Sequence, residues 1–309
     1  MSTSRNVHQC IAALEVDEGS GGQVRRAIGN PKLQHFSPFL MLDHFTSNGQ
    51  GGFPDHPHRG QETITYLLSG YVDHEDFTGG KGNLGPGDLQ FMTAGRGIVH
   101  SEIVRKLPNS SSSKTEGIQL WVDLPQHLKM CEPRYRDLRA SDIPLVTSDE
   151  NLVSVKVICG ESNGVKSIPS ISYTPVWILD IAICPGGRIS QPVPLGWSVF
   201  AYTFSGNVFL TSEDVVHYVK PLHLVVFDHD GDCITASVAN DAESDAHFIL
   251  VAGQPLAQPI VHYGPFVMTS QEEIYQAISD YRNSRNGFER ALKWKSEIGT
   301  RYLMLNNTR

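Results

Sequence analysis

Two short motifs have the residue types and the spacing of a metal site. His56-Pro57-His58 precedes a strand-like run, and His100 and Glu102 are likewise two residues apart farther along the chain. Residues two apart on a strand point to the same face, so each pair can direct both side chains into one interior. Three imidazoles and one carboxylate suit Fe, Mn, Ni, Cu or Zn rather than Ca or Mg. Such a ligand set would leave octahedral positions open for water, substrate or dioxygen.

Either motif alone is more typical of solvated or core side chains than of metal ligands. Their joint occurrence, beside Gly-rich turns in a strand-rich chain, favours the metal site. The other histidines show no such pairing, and we expect them to lie at the surface or to be hydrogen-bonded in the core: His8, His35, His44, His74, His127, His217, His223, His229, His247 and His262.

The elements that must position these motifs are short strands. Apolar, β-branched runs separated by Gly- and Pro-rich turns predict an all-β fold of the sandwich or barrel type. The runs are 63–68, 89–92, 118–122, 153–158, 176–183, 199–204, 222–227 and 248–251. Near the C-terminus, Ser270 and Glu273 form a capping box ahead of a helix that we expect to end at Asn286-Gly287 and to pack on a barrel.

A weak internal repeat predicts two copies of one barrel. Residues 56–70 align without gaps with residues 192–206, an offset of about 136 that the later segments maintain. We therefore expect a domain 1–140 and a domain 141–309 that ends in the helix, with a linker over about 136–151. The candidate ligands fall opposite residues that are not metal ligands, so the second barrel should lack a metal: Pro192, Pro194, Thr235 and Ser237.

Composition excludes several classes of function. The chain has 309 residues and a formal net charge of -8, which disfavours direct nucleic-acid binding, while Arg25-Arg26 should be a solvated or salt-bridged face. No apolar stretch is long enough for a membrane span. The five cysteines form no Cys-x-x-Cys pair, and the first residues lack a signal-peptide pattern, so we expect reduced thiols in the cytosol or nucleus.

Longer motifs around the candidate ligands resemble those of the pirin family. FPDHPHRGQET at 53–63, HEDF at 74–77, PGDLQFMTAGRGI at 86–98 and HSE at 100–102 are similar to the N-terminal domain of pirins. The likeness continues through QLWV at 119–122, SQPVPLGW at 190–197, HYGPFVM at 262–268 and NGFERA at 286–291. The resemblance therefore spans nearly the whole chain.

This resemblance implies a bicupin, two tandem cupin-type β-barrels, with one Fe(II)/Fe(III) ion per chain. The iron would be held in the N-terminal barrel by His56, His58, His100 and Glu102. Glu62 would lie beside the metal without binding it, and Arg59 would steady charge or form a surface salt bridge.

Two roles follow from the family. One is quercetin 2,3-dioxygenase activity on a flavonol-like small molecule, with Glu102 as the base. The other is an iron-dependent nuclear cofactor for transcription-factor complexes. We expect the protein to be a monomer in the nucleus and cytoplasm. The alternative is a metal-stabilised, protein-binding scaffold without turnover. We expect the Ser110–Ser113 segment to be a loop between strands.

Overall fold

The structure is a computed structural model that describes residues 2–18, 22–48, 51–105, 114–167, 172–212 and 215–307. The predicted Ser110–Ser113 loop lies outside the described residues. The chain forms two compact units. We name them the first barrel (residues 15–26, 39–140 and 256–309) and the second barrel (residues 1–14, 27–38 and 141–255).

Strands make up most of both units. In chain order they are β1 (Val7–Ala12), β2 (Leu14–Glu18), β3 (Gly22–Ile28), β4 (Phe39–Ser47), β5 (Gly52–His58), β6 (Gln61–Ser69), β7 (Val72–Asp76), β8 (Lys81–Leu84), β9 (Leu89–Thr93), β10 (Ile98–Val104), β11 (Thr115–Asp123), β12 (Arg134–Leu138) and β13 (Leu145–Ser148). They continue with β14 (Val153–Cys159), β15 (Glu161–Ser162), β16 (Val165–Lys166), β17 (Val176–Ile183), β18 (Arg188–Pro192), β19 (Ser198–Ser205), β20 (Val208–Ser212), β21 (Val215–Val219), β22 (His223–Phe227), β23 (Cys233–Ser237), β24 (Ala246–Gly253), β25 (Val261–Tyr263) and β26 (Phe266–Met268). The two α-helices of the described residues are α1 (Gln271–Arg282) and α2 (Glu297–Asn307).

The fold confirms the predicted all-β class. In the first barrel, one sheet has the strand order β12-β9-β6-β11-β4-β3-β2 and the other β5-β10-β7-β8. In the second barrel, the orders are β1-β22-β19-β24-β17-β14-β13 and β18-β23-β20-β21. Every predicted strand run falls within an observed strand except that the run at 222–227 begins one residue early.

The second barrel has an apolar core between its two sheets. β18 alternates, with Ile189 and Gln191 buried between exposed neighbours, whereas β19 is buried over seven consecutive residues. The buried core includes Val155, Ile181 and Phe248, each at most 1% exposed. This interior is filled by packed apolar side chains, which contrasts with the histidine cluster and the cavity of the first barrel described below.

The internal repeat is visible in the strand register. Tyr66 pairs with Leu89 in the first barrel, and Tyr202 pairs with Leu224 in the second, as the sequence alignment requires. The alignment of the ligand strands, however, is wrong by one residue. His100 pairs with His56 in the first barrel, whereas Ile234 pairs with Gln191 in the second.

The strand on the other side of β10 shows the same one-residue difference. In the first barrel, Glu102 of β10 pairs with His74 of β7. In the second barrel, the residue equivalent to His74 is Leu210 of β20, and it pairs with Ala236 of β23. A shift of one residue moves a side chain to the opposite face of a sheet, so the inward positions cannot be Pro192 or Thr235. The residues that correspond to the candidate ligands are Gln191, Val193, Ile234 and Ala236.

The C-terminal residues differ from the predicted domain 141–309. Residues 256–309 belong to the first barrel, and β1 belongs to the second, so the two termini are exchanged relative to a division at residue 140. The reason is packing: Ile274, Ala277 and Phe288 form one buried cluster with Met92 and Ile98 of the first barrel. Within the predicted linker the chain passes between the units at Ala140–Ser141, and parts of that segment are strand, at the end of β12 and in β13.

Helix α1 confirms the predicted capping box, because Ser270 accepts a hydrogen bond from the backbone of Glu273 and the Glu273 side chain accepts one from Ser270. The helix ends earlier than predicted, at Arg282, since Ser284 has a φ of 49° and cannot continue it. Asn286 and Gly287 form the following turn. Within the described ranges, no helix is long and apolar enough to span a membrane.

Candidate metal centre

Three histidines converge on the inside of the first barrel. His56 and His58 lie on β5, and His100 lies opposite His56 on the neighbouring strand β10. One ring nitrogen from each histidine can be chosen so that all three lie within 4.8 Å of one another. The ring centroids of His56 and His100 are 4.3 Å apart, and His58 is 4.9 Å from His56 and 5.0 Å from His100. The alternation of the strand thus gathers the three side chains as the sequence predicts.

The hydrogen bonds of these rings leave nitrogens for a metal. His56 Nδ1 donates to the backbone oxygen of Pro54 at 2.9 Å, which leaves the lone pair of Nε2 for another partner. His58 Nε2 and both nitrogens of His100 are buried, and none has a hydrogen-bond partner among the residues that the structure describes. Buried polar atoms are rarely left unpaired without a ligand or a function. The cluster therefore fits a metal ion.

Electrostatics keeps these ligands in the form that binds a cation. Burial lowers the pKa of His58 and of His100 well below the ordinary value for histidine, and the neighbouring imidazoles lower it further. Burial also lowers the pKa of His56, although the charge of Glu102 opposes this effect. Neutral imidazoles carry the lone pair that a metal requires, so the site is prepared for a cation near neutral pH.

Glu102 lies next to this cluster but is not part of it. Its carboxylate accepts hydrogen bonds from Thr65 Oγ1 and from Gln119 Nε2, each at 3.1 Å. The pairing of β10 with β5 shifts register between His100 and Glu102. Such a bulge redirects the side chain that follows it, which explains why a strict two-residue alternation does not place Glu102 among the histidines.

A cavity of about 450 Å³ opens in front of the cluster. His56 and His58 form part of its wall, and Trp121 stands edge-on to His58 with ring centroids 5.0 Å apart. The apolar part of the lining consists of Val24, Met41, Phe45, Phe53, Trp121 and Pro265. Polar side chains line the rest, among them Arg26, Asp43 and Gln119, and a cavity of this size that combines apolar walls with polar groups is typical of sites for organic ligands.

Glu102 faces a smaller adjoining chamber of about 40 Å³, which shares Phe53 and Gln119 with the main cavity. Gln119 connects the two spaces, because it donates to Glu102 and Thr65 and accepts from Trp121 Nε1 at 3.0 Å. The Glu102 carboxylate is therefore connected by hydrogen bonds through Gln119 to Trp121 in the cavity wall.

At the cavity wall, Arg26 donates to Asp43 at 2.7 Å and to Glu18 at 2.8 Å. Arg25 pairs with Glu15, so the two arginines form the salt-bridged face that the sequence predicts.

Two residues have surroundings that the sequence did not reveal. His262 is exposed, within the surface-or-core expectation, but it also lines the cavity, with its ring centroid 5.9 Å from that of Trp121. The signal that could have found it is its place in the HYGPFVM motif. Arg59 is not on the surface: it is 1% exposed and pairs with buried Asp280 at 2.9 Å. Glu62 is fully buried, accepts a hydrogen bond from Thr93 at 2.7 Å and is not among the three clustered histidines.

Two tandem antiparallel barrels, the first with a buried histidine cluster beside an organic-sized cavity, define a bicupin with a candidate metal centre. The family model described as Pirin matches residues 21–122, and that of the Pirin C-terminal cupin domain matches residues 178–287. The chain belongs to the pirin family.

Similar proteins cover nearly its whole length. Pirin from Homo sapiens is 46% identical over 300 residues, which cover 97% of this chain and 100% of that protein. A pirin-like protein from Solanum lycopersicum is 44% identical over 296 residues, which cover 96% of this chain and 98% of that protein. Among solved structures, a quercetin 2,3-dioxygenase from Acinetobacter baumannii is 31% identical, with a TM-score of 0.80 over 91% of this chain and 98% of its own.

Proposed function

We propose that this protein is an iron-dependent dioxygenase of flavonol-like substrates, of the quercetin 2,3-dioxygenase type. The observation that carries the proposal is the position of two of the three clustered imidazoles on the wall of a 450 Å³ cavity whose lining is mainly apolar. The likeness to the Acinetobacter baumannii quercetin 2,3-dioxygenase supports the same substrate class. A flat aromatic molecule with several hydroxyl groups fits both the aromatic walls and the polar side chains of this cavity.

In this proposal His56, His58 and His100 hold one iron ion per chain, and Glu102 is the fourth ligand. Three imidazoles and a carboxylate are a ligand set that iron accepts. When bound, the iron would supply Lewis-acid chemistry that makes a substrate hydroxyl more acidic and redox chemistry that activates dioxygen for addition to the substrate's carbon atoms.

The chain's own residues would bind the substrate and move its proton. Trp121, Phe53 and Met41 would cover the ring system and exclude water from it. Glu102 would take the proton of a substrate hydroxyl at one carboxylate oxygen, because each oxygen accepts only one hydrogen bond from the protein and keeps a lone pair for a further donor. Gln119 and Thr65 would hold the carboxylate in orientation while it does so.

The other expectations stay predictions. They are a role as a nuclear cofactor of transcription-factor complexes, a nuclear and cytoplasmic location, a monomeric state, and the alternative of a scaffold without turnover. Each concerns partners or cellular context.

The test is a turnover assay on protein loaded anaerobically with Fe(II). Quercetin is added, oxygen is admitted, and carbon monoxide release and flavonol loss are followed together. We expect both in equal amounts, and we expect neither with His100→Ala, which removes one imidazole. The matched control is His217→Ala on the second barrel, a half-buried histidine outside the site, which should retain wild-type turnover. A protein that binds one iron per chain but consumes no flavonol would contradict the enzyme proposal.

A further inference from the structure

The C-terminal segment, residues 270–307, contacts the strand of His56 and His58 on both sides of this histidine pair. Before His56, Asp55 accepts hydrogen bonds from the hydroxyl of Ser296 and, at 3.3 Å, from its backbone nitrogen. After His58, Arg59 donates to Asp280 at 2.9 Å and to the backbone oxygen of Asn286 at 2.6 Å. The two histidines therefore lie between two anchor points that come from the same segment.

The same segment also lies against the strand of His100. A Cβ atom on Gly97 would come within 2.8 Å of the Phe288 ring, so the chain can approach only because this residue is glycine. A Cβ atom on Gly299 would come within 3.0 Å of Ser101 Oγ, the residue between His100 and Glu102. Helix α2 contacts β5, β7 and β10. The segment thus touches both ligand strands next to the ligands.

The Arg59 anchor is built to be rigid. Arg59 and Asp280 are each 1% exposed, and the guanidinium also donates to the backbone oxygen of Arg96 at 2.7 Å. The ring of Phe288 lies 4.8 Å from its central carbon. A buried ion pair tolerates little displacement, since either partner left alone would be an uncompensated charge. Movement of the segment would therefore displace the end of the strand that carries His58.

We propose that Asp55 and Arg59 are positioning residues, and that the C-terminal segment acts through them as a clamp that retains the metal ion. This inference rests on a metal at the histidine cluster, as proposed above, and is independent of what reaction that metal supports. Loss of either anchor would let His56 and His58 move relative to His100, and the metal would leave faster.

A pair of serine variants in the same segment separates this role from simple stability. Ser296→Ala removes the hydroxyl that donates to Asp55, together with its bond from the Gly299 nitrogen at 2.9 Å at the start of α2. Ser270→Ala removes the corresponding cap of α1, which accepts from Glu273 at 3.2 Å, and does not touch Asp55. Both substitutions weaken a helix start in the same way.

The measurement is the rate of Fe(II) loss from anaerobically loaded protein to an excess of a chromogenic chelator. We expect Ser296→Ala to lose metal about 10–100-fold faster than wild type, the range for changes beside metal ligands, and Ser270→Ala to match wild type. Asp280→Asn should also lose metal faster. If that variant fails to fold, the serine pair still decides.

A second readout uses the metal-free protein. In Ser296→Ala, backbone hydrogen exchange should quicken at residues 53–58, and in Ser270→Ala it should not. Equal metal-loss rates in the two serine variants, or unchanged exchange at residues 53–58, would overturn the clamp. A wild-type protein that binds no metal at all would instead overturn the proposed metal centre, so the two failures are distinguishable.

Discussion

The side-chain amide of Gln61 lies 3.0 Å from Nδ1 of His58, and its oxygen has no hydrogen-bond partner among the described residues. The amide presents a donor on one side and an acceptor on the other, and half a turn of the group exchanges them. With the oxygen toward His58, Nδ1–H would have an acceptor, and Nε2 would carry the lone pair that a metal needs. Gln61 is therefore placed to set the tautomer of His58.

The first prediction follows from this contact. Gln61→Leu should weaken metal binding by about 10–100-fold, because the leucine removes the group that orients the imidazole. Gln61→Glu keeps an acceptor and should bind more tightly than the leucine variant. Titration of the metal-free protein with Fe(II) under anaerobic conditions measures both affinities. Equal affinities of the leucine variant and wild type would show that Gln61 does not set the tautomer.

The histidine cluster could be predicted from the sequence because it depends on local geometry. His56 and His58 need only a strand that alternates its faces, and His100 needs only the neighbouring strand. The position of Glu102 could not be predicted in the same way, since the register shift before it arises from strand pairing and leaves no mark in the spacing.

The strands could be predicted, but their tertiary partners could not. Periodicity and turn residues identify where a strand begins and ends. They do not reveal that α1 packs on Met92 and Ile98 of the first barrel, because an amphipathic helix shows which face it buries and not what covers that face. The buried role of Arg59 depends on this same long-range packing against Asp280.

The second prediction concerns the number of metal ions. Protein saturated with Fe(II) and freed of excess metal should contain one ion per chain. In the second barrel, the positions equivalent to the four candidate ligands hold Gln191 and three apolar residues. The amide of Gln191 already forms hydrogen bonds with Ser162 and with the backbone oxygen of Glu161. Gln191→Ala should leave the metal content unchanged, and His100→Ala should reduce it. Elemental analysis that finds two tightly bound ions would contradict this assignment.

The third prediction is a pH dependence. A hydrogen bond with His44 at 2.9 Å, aided by Lys114, lowers the pKa of Glu116 to about 2 from an ordinary value of 4.5. Below pH 4.5 the unfolded chain takes up a proton at this carboxylate while the folded chain does not. The stabilisation is therefore complete above about pH 4.5 and is lost as the pH falls toward 2.

Glu116→Gln should accordingly be less stable than wild type near pH 5, by about 1 kcal/mol after screening by solvent, and the difference should vanish near pH 2. Thermal unfolding of both proteins at a series of pH values measures this. A control is Glu15→Gln, whose partner Arg25 is exposed and whose effect should be smaller. A constant difference across the whole pH range would show that the ion pair is not responsible.

The last prediction separates the metal site from the scaffold. His58→Ala should lower metal affinity by at least the 10–100-fold that changes beside a ligand produce, because a ligand itself is lost. The fold should remain, since the apolar cluster formed by Met92, Ile98 and Phe288 does not include the histidines. Phe248→Ala should do the opposite. It empties a fully packed position in the core of the second barrel, which should cost about 3–5 kcal/mol, and it should leave the metal content unchanged.

Two measurements on both variants test this separation of metal site and scaffold. Elemental analysis gives the metal content, and circular dichroism follows unfolding. If His58→Ala is soluble but unfolded, the metal would join the strands β5 and β10 as zinc does in small domains that fold only around their ion. The cluster would then be needed for folding before it could be needed for chemistry. If instead His58→Ala unfolds at nearly the wild-type temperature without its metal, any loss of turnover in that variant reports on the chemistry of the site alone.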